Sequence, residues 1–222
     1  MVDTEEWRWI EEHATGGFDH LLLGTSVPVL LGPGMHHLQA WNEAVDSGVW
    51  GERAAQWGEK IRRSKDLDHW SSFHDSFTKL TRLIRAVGAG ERGQPPASII
   101  VLSGDVHHGY LAEATFRDKE VKSEIYQAVS SPFRNSLPGE KSRLFSASWR
   151  KLSELVGRFL ARLAGIGEEG MSWQLDHPEL WYENQVATLE LEGRQATLTF
   201  EKAILDDSKE PGLKTIYERK LT

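Results

Sequence analysis

The sequence predicts an α/β protein in which helices cover one mixed β-sheet and a β-hairpin follows near the carboxyl end. Ser98–Ser103 centres on an unbroken apolar run, as in a strand that is buried on both faces. In Asp66–Val87, apolar residues recur at spacings of three and four, which predicts an amphipathic helix. Asn184–Leu191 and Gln195–Ala203 alternate apolar and polar residues on either side of a short polar turn, which predicts the hairpin.

Composition excludes several functional classes. The chain has 222 residues, enough for one large domain, and no cysteine. Thiolate zinc sites, iron–sulfur clusters and cysteine nucleophiles are therefore excluded. A net charge of −7 argues against a general nucleic-acid binder. No apolar run reaches about 18 residues, and the acidic start lacks the pattern of a signal peptide, so no transmembrane segment is predicted and the cytoplasm is the default expectation.

The amino-terminal part is expected to form a helix, a strand and a loop. Residues 4–14 have helical periodicity, and Thr4 can cap the helix. His20–Thr25 is a short apolar run bounded by glycine, as in a buried strand. The loop over residues 26–34 carries hydrophobic side chains, which is typical of a loop that lies over a core or lines a cleft.

Helices dominate the next part of the chain. Residues 36–46 and 50–64 each have helical spacing, and the longer helix Asp66–Val87 is expected to be broken near its start. Gly88–Pro96 is the clearest flexible loop. The long helix is expected to turn its apolar side chains to the core: Trp70, Phe73, Phe77, Leu80, Leu83 and Ile84.

The carboxyl-terminal half is expected to add two strands and a helix before the hairpin. Tyr110–Phe116 and Ile125–Val129 have strand character, and Phe145–Leu163 has helical character. Asp206–Thr222 is charged and is expected to be a loosely ordered tail. The helix 145–163 carries a set of apolar side chains that are expected to pack in the core: Leu152, Leu155, Val156, Phe159, Leu160 and Leu163.

One short segment carries the clearest chemical signal. A buried strand ends at Ser103, Gly104 permits a sharp turn, and Asp105, His107 and His108 follow at once. Ligands of α/β sheets collect at the carboxyl ends of strands, and Asp with His is a donor set that suits Fe, Mn or Zn. The spacing alone leaves a second interpretation open, in which Asp105 caps a turn and the two histidines lie on a surface loop.

Several blocks of sequence extend this signal across the chain. They are Trp7–Ile10, Phe18–Pro28, His36–Glu43, Asp66–Trp70 with Phe73 and Ser76–Phe77, Leu102–His107, and Ser130–Pro132 with Asn135. In this order, and over roughly residues 4–203, they resemble the PhoD-like phosphatases, a branch of the calcineurin-like metallophosphoesterases. The resemblance implies half of an α/β sandwich of that type and an activity on phosphomonoesters or phosphodiesters.

The resemblance also implies roles for individual residues. His107 takes the position of a metal-ligating histidine, and Asp105 either binds a metal or orients a ligand. The complete enzyme would use two metal ions, Fe with Ca or else Mn or Zn, to activate water and polarise the phosphoryl group. His108 joins Asp105 and His107 as a catalytic candidate. Arg134, Asn135 and His37 are the candidates for contact with the substrate phosphate. A surface position is the open alternative for Arg134, and for His37 a helix-start residue that bonds locally is the favoured interpretation.

The chain also departs from the family pattern. The family's catalytic domain begins with a Gly-Asp motif and a later Asp-rich or Asn-His motif, and Gly104-Asp105 is the only Gly-Asp pair here. Residues 1–205 are therefore expected to be the carboxyl-terminal part of a PhoD-like domain, followed by the tail 206–222. The competing hypothesis is a catalytically silent fragment, or a subunit that needs a separate amino-terminal half; an exposed sheet edge or apolar face would favour it.

The other polar residues that could belong to a site are expected to have structural roles instead. Asp66, Asp68 and His69 are expected to form a cap and dipole cluster at a helix start, with a supporting role at the site left open by the family block. His69 and His74 are expected on different helix faces and so share no metal. The chain has no Gly-x-Ser-x-Gly elbow, His-Glu-x-x-His motif or P-loop, which leaves no competing catalytic motif.

Overall fold

The computed structural model describes residues 2–65, 67–117, 120–133, 139–167, 170–205 and 209–222. Their helices and strands are α1 (Thr4–His13), β1 (His20–Gly24), α2 (Pro33–Asp46), α3 (Glu52–Lys65), a 3-10 turn (Trp70–Ser72), α4 (His74–Ala89), β2 (Ser98–Ser103), β3 (Tyr110–Phe116), β4 (Glu124–Val129), α5 (Gly139–Ser148), α6 (Lys151–Leu163), β5 (Met171–Leu175), β6 (Gln185–Glu192), β7 (Gln195–Leu205) and β8 (Pro211–Lys220). No helix among these residues is long and apolar enough to cross a membrane.

The larger sheet has five strands in the order β1-β2-β4-β3-β5. The strands β1, β2 and β4 run parallel, whereas β3 and β5 are antiparallel to their neighbours. The prediction of a mixed sheet is thus confirmed. Because β1, β2 and β4 are parallel, the loops that follow them all leave from one edge of the sheet. The segment after β2 is the one that contains Asp105 and His107.

A second sheet covers one face of the first. It is antiparallel, in the order β6-β7-β8, and its β6–β7 pair is the predicted hairpin. Ile100 and Tyr126 of the large sheet pack against Leu198 and Phe200 of the small one. On the other face of the large sheet, Ile99, Val101 and Ile125 share a core with the buried side of α4. The layers are therefore helix, mixed sheet and antiparallel sheet.

The predicted helix Asp66–Val87 is broken near its start, as expected. Residues 70–72 form a separate 3-10 turn, and the helix starts at His74, whose backbone N–H donates to the Glu43 carboxylate of α2 at 2.9 Å. The cap is therefore supplied by a distant residue. The expected cap by Asp68 is wrong, and Asp66 lies outside the described residues. Burial raises the pKa of Glu43, and the bond from His74 opposes that effect. In α1 as well, the capping residue is Asp3 instead of Thr4.

The carboxyl-terminal segment is a strand. Pro211–Lys220 pairs antiparallel with β7 through nine residue pairs, so the expectation of a loosely ordered tail is wrong for this segment. Tyr217 packs against the core between the sheets, and Leu221, just beyond the strand, is buried there. The pairing partner is supplied by the preceding strand. The residues of β8 are mostly charged or polar, and this composition does not by itself predict a strand.

The predicted helix 145–163 is two helices, because residues 149–150 separate α5 from α6. Helix α6 packs on α2 through Gly157 and Ala161, which are its buried residues. A Cβ atom on Gly157 would lie 2.8 Å from the Gly34 carbonyl oxygen, so the two helices approach closely at this point. The expected core packing of α6 is wrong for Leu152, Leu155, Val156, Phe159 and Leu163, which are all exposed.

Candidate functional site

Three loops meet at the carboxyl edge of the parallel strands. The loop after β2 is joined to the loop after β1 by a hydrogen bond from the Gly104 N–H to the Ser26 carbonyl oxygen at 3.2 Å. The Ser130 N–H, directly after β4, donates to the Ser103 carbonyl oxygen at 3.0 Å. The segments that follow β1, β2 and β4 therefore hold one another in place, as is usual where an α/β sheet binds its ligand.

A buried irregular segment lies next to these loops and is bonded to strand β4. Residues 27–32 are all buried and form no helix or strand, so their backbone groups need other partners. The Gln127 side chain of β4 accepts from the Val29 N–H at 3.0 Å, and its amide nitrogen donates to Ser103 Oγ at 2.9 Å. The Tyr110 hydroxyl donates to the Leu30 carbonyl oxygen at 2.6 Å. Residues 27–32 therefore lie over the core, as expected for the loop 26–34. Ser26 is exposed, and Pro33 and Gly34 are the first residues of α2.

The backbone of the loop after β2 is unusual. Asp105 and His107 have φ angles of 66° and 56°, in the left-handed region that side chains other than glycine rarely adopt. Between them, Val106 is buried among Leu31, Tyr110 and Val129. Burial of Val106 anchors the loop, and both neighbouring side chains remain exposed. Strain of this kind collects at functional sites when the surrounding structure enforces it.

A serine of the neighbouring loop fixes the position of His107. The His107 backbone N–H donates to Ser131 Oγ at 3.1 Å. The Ser131 carbonyl oxygen in turn accepts from the Gln185 amide at 2.8 Å, and the Ser131–Pro132 peptide bond is cis. The backbone of His107 is therefore tied both to the loop after β4 and, through Ser131, to the first residue of β6.

The other histidine of the pair has a different environment. His108 is fully buried beside the rings of Tyr110, Phe145 and Tyr182. Its Nδ1–H donates to the Val106 carbonyl oxygen at 2.8 Å, which makes Nε2 the acceptor nitrogen of the neutral ring. Burial lowers the pKa of His108 to about 4. The ring is thus neutral at pH 7, and it is buried, whereas Asp105 and His107 are exposed.

The structure adds His69 to the candidate site. The sequence predicted this residue mainly as part of a helix cap. Its Nδ1 accepts from the Gln39 amide of α2 at 3.2 Å, and Gln39 Oε1 accepts from Ser71 Oγ at 2.6 Å, so the amide is oriented. Burial lowers the pKa of His69, while the negative charges of Asp68 and Asp105 raise it. His69 therefore lies within electrostatic reach of the Asp105 loop. The sequence signal for it is the family block Asp66–Trp70.

The metal-ligating candidates do not make a complete centre by themselves. Among the residues that the structure describes, no three His, Asp or Glu side chains are grouped so that they could hold one metal ion. Asp105 and His107 offer a carboxylate and an imidazole on the same loop, which suit one side of an Fe, Mn or Zn site. A two-metal centre needs several further ligands, so the described residues do not fit the pair of metals that the resemblance implies.

The candidates for phosphate contact are not brought to this loop. Arg134 and Asn135 lie outside the described residues, directly after the loop that contains Ser131. His37 lines a cavity of about 150 Å³ together with Arg117 and Met171, at the end of β3 and the start of β5. That cavity lies at the opposite edge of the sheet, because β3 is antiparallel to β4. The geometry therefore separates His37 from Asp105 and His107.

Comparison with known proteins gives no match. The sequence fits no protein-family model, and no curated protein and no solved structure is significantly similar to it.

Proposed function

We propose that this chain supplies one side of the active site of a metal-dependent phosphoester hydrolase of the PhoD-like type. The observation that carries the proposal is the pair Asp105 and His107. Both residues have left-handed backbone angles, and both are exposed at the carboxyl edge of three parallel strands. A loop that is held in a strained conformation by a buried anchor fixes the direction of its side chains, which metal binding and catalysis require.

The layer arrangement supports the same proposal at the level of the fold. A mixed sheet is covered by helices on one face and by an antiparallel sheet on the other. This is the arrangement expected for half of a calcineurin-like sandwich. In the proposed site, Asp105 and His107 are the metal ligands and His69 is a neutral group beside them. His108 acts as a positioning residue, because its ring bonds to the loop backbone from the buried side.

The remaining ligands of the site come from outside the described residues. This second part of the proposal is the hypothesis that the chain has no catalytic activity without a separate amino-terminal half of the domain. Two observations favour it: the described residues form no group of three ligands, and among the described strands β1 pairs with β2 alone. The outer side of β1 is paired with no described strand, and further strands there would extend the sheet and bring their own strand-end ligands.

Metal titration together with a phosphodiester assay tests the proposal. The purified chain is titrated with Mn²⁺ and with Zn²⁺, and hydrolysis of bis-p-nitrophenyl phosphate is measured on the same sample. We expect weak binding of about one ion per chain, without turnover, because two ligands on one loop hold a metal loosely. His107→Ala should remove this binding.

The control is His13→Ala, which removes an exposed histidine of α1 and should leave the binding unchanged. Absence of any binding that depends on His107 would contradict the assignment of a metal site. Binding of two ions per chain with turnover would contradict the view that the ligand set is incomplete, and would support a complete hydrolase.

A further inference from the structure

The side chain of Gln39 in α2 is held in one orientation. It is buried, and its Oε1 accepts hydrogen bonds from the hydroxyls of Ser71 at 2.6 Å and Ser72 at 3.2 Å. Both serines belong to the 3-10 turn before α4 and are buried as well. Because the amide oxygen faces these two donors, the amide nitrogen is left to face His69. An amide nitrogen donates hydrogen bonds and does not accept them.

This orientation decides which nitrogen of His69 carries the ring proton. Gln39 Nε2 lies 3.2 Å from His69 Nδ1, and since the amide donates, Nδ1 accepts. In a neutral imidazole whose Nδ1 accepts, the proton is on Nε2. The carboxylate of Asp68 does not reverse this, because its oxygen lies 3.7 Å from Nδ1, beyond hydrogen-bond distance, and its side chain is 67% exposed. His69 is therefore a neutral ring with an Nε2–H donor.

A ring with this arrangement of protons is unsuited to metal binding. A metal-ligating histidine uses the lone pair of one nitrogen and donates the proton of the other to a carboxylate or carbonyl oxygen, or to water. At His69 the lone pair of Nδ1 is occupied by Gln39, and Nε2 bears the proton. Neither nitrogen offers a lone pair, so the role of His69 differs from the role proposed for His107.

The ring of His69 lies at the same edge of the sheet as Asp105. The next residue, Trp70, donates its indole N–H to Thr25 Oγ1 at 3.0 Å, directly after β1. Burial lowers the pKa of His69, whereas the negative charges of Asp68 and Asp105 raise it, so these side chains are within electrostatic reach. Since Nδ1 faces α2, Nε2 points away from that helix. The described residues give Nε2 no hydrogen bond, and 14% of the side chain is exposed.

We propose that His69 donates a hydrogen bond from Nε2–H to a phosphoryl oxygen of the substrate. This assignment rests on the proposed function, in which Asp105 and His107 bind the metal. A phosphoester bound to that metal brings negatively charged oxygens to the same edge of the sheet, and hydrogen bonds to charged oxygens are stronger than those between neutral groups. Because the ring is neutral, it holds such an oxygen without repelling the metal ion beside it.

Nitrogen-15 NMR on the full chain tests the position of the proton. The chain is labelled at histidine, and the protonated nitrogen of the His69 ring is identified at neutral pH without metal. We expect the proton on Nε2, both in the unchanged chain and in Asp68→Asn. A proton on Nδ1 of the unchanged chain would overturn the proposal. A change of tautomer in Asp68→Asn would also overturn it, since Asp68 and not Gln39 would then set the position of the proton.

Dimethyl phosphate, an inert diester, is the probe for the substrate contact. It is titrated into the labelled chain in the presence of saturating zinc, and its affinity is taken from the His107 ring resonances. We expect the Nε2–H resonances of His69 to move as the probe binds. His69→Leu should weaken the binding about tenfold, because a hydrogen bond to a charged oxygen is lost. His69→Gln, which keeps a neutral N–H donor of similar reach, should restore most of the affinity.

The matched control is His13→Leu, which removes an exposed histidine of α1 and should leave the affinity for the probe unchanged. Circular dichroism on each variant establishes that it is folded. Equal weakening in His69→Leu and His69→Gln would overturn the proposal, because the donor would then not matter. A probe that shifts the His107 ring resonances and leaves those of His69 unchanged would overturn it as well.

Zinc titration separates a failure of this proposal from a failure of the proposed function. His69→Leu should bind zinc as the unchanged chain does, whereas His107→Ala should lose the binding. Equal losses in the two variants would support the metal site and overturn the proposal, since His69 would then be a ligand. Zinc binding that is independent of both Asp105 and His107 would contradict the proposed function and this proposal with it, although Nε2 would still carry the proton.

Discussion

The backbone N–H of His107 and the hydroxyl of Ser131 are joined by a hydrogen bond of 3.1 Å between two loops that follow neighbouring parallel strands. This bond connects the residue with the clearest chemical signal to the loop after β4. It acts on the left-handed backbone of His107, so it contributes to the direction in which the imidazole is presented.

Ser131→Ala removes this acceptor. Metal affinity is expected to fall about tenfold, since residues that orient a ligand typically contribute 10- to 100-fold to binding. The unfolding free energy should change by less than about 1 kcal/mol, because water can replace the hydroxyl at this exposed backbone N–H. Titration with Mn²⁺ and urea unfolding measure the two effects. Ser172→Ala, at an exposed serine that bonds to Thr115, is the control and should alter neither quantity.

Asp105 tolerates its left-handed angle because a short polar side chain can bond to the nearby backbone, whereas a β-branched residue cannot adopt it without strain. Asp105→Val should therefore lower the unfolding free energy by about 1–2 kcal/mol. Asp105→Asn should preserve stability and still lose metal binding, because the carboxylate charge is gone. The same change at Asp19→Val, where the angle is not left-handed, should cost less in urea unfolding; an equal cost would contradict the role of strain.

The buried His108 predicts a loss of stability in acid. Its pKa is about 4 in the folded chain, whereas an unfolded histidine titrates near 6.5, so the unfolded state binds its proton first as the pH falls. Stability is complete above about pH 6.5 and declines down to about pH 4, by about 3 kcal/mol from this group. His69, whose pKa is also lowered by burial, acts in the same direction.

Urea unfolding at pH 7.5 and at pH 5 measures the decline. In His108→Gln the loss between the two pH values should be smaller than in the unchanged chain, although the variant is less stable at both. His13→Gln replaces an exposed histidine and should retain the full pH dependence. An unchanged pH dependence in His108→Gln would show that this residue does not titrate as its burial requires.

The close contact between α6 and α2 predicts that one methyl group added at Gly157 lowers the stability of the chain. Gly157→Ala places a Cβ atom 2.8 Å from the Gly34 carbonyl oxygen and 3.1 Å from the His37 Cβ, so it should destabilise the chain by about 1–3 kcal/mol despite the better helix propensity of alanine. Thermal unfolding measures it. Gly167→Ala is the control, since a Cβ there meets no atom within 4 Å. A gain in stability for Gly157→Ala would mean that the two helices can move apart freely.

The elements that the sequence predicted well are those with a strong local signal. Strand β2 is buried on both faces, and its apolar run required no knowledge of its neighbours. Strand β8 was missed because its residues are mostly exposed and polar, and its order depends on pairing with β7. Helix α6 was predicted with the wrong buried face. Its periodicity identifies an apolar and a polar side, but the small residues Gly157 and Ala161 decide which side packs against α2.

The same distinction applies to the candidate site. Asp105 and His107 follow a strand directly, so the sequence could place them at the sheet edge. His69 depends on a hydrogen bond from Gln39, thirty residues earlier, which no local pattern contains. His37 precedes the bond-forming Gln39 on the same helix, yet it lines a cavity at the other edge of the sheet, because neighbouring positions on a helix point in different directions.

The buried segment 27–32 limits how the length of the sequence can change. Irregular segments usually accept inserted or deleted residues, since they run over the surface with their backbone in water. Here the backbone groups of Val29, Leu30 and Leu31 bond to single side-chain atoms of Gln127, Tyr110 and Trp173. Adding or removing one residue would shift every one of these pairs out of register. The length of this irregular segment is therefore constrained as tightly as that of a central strand.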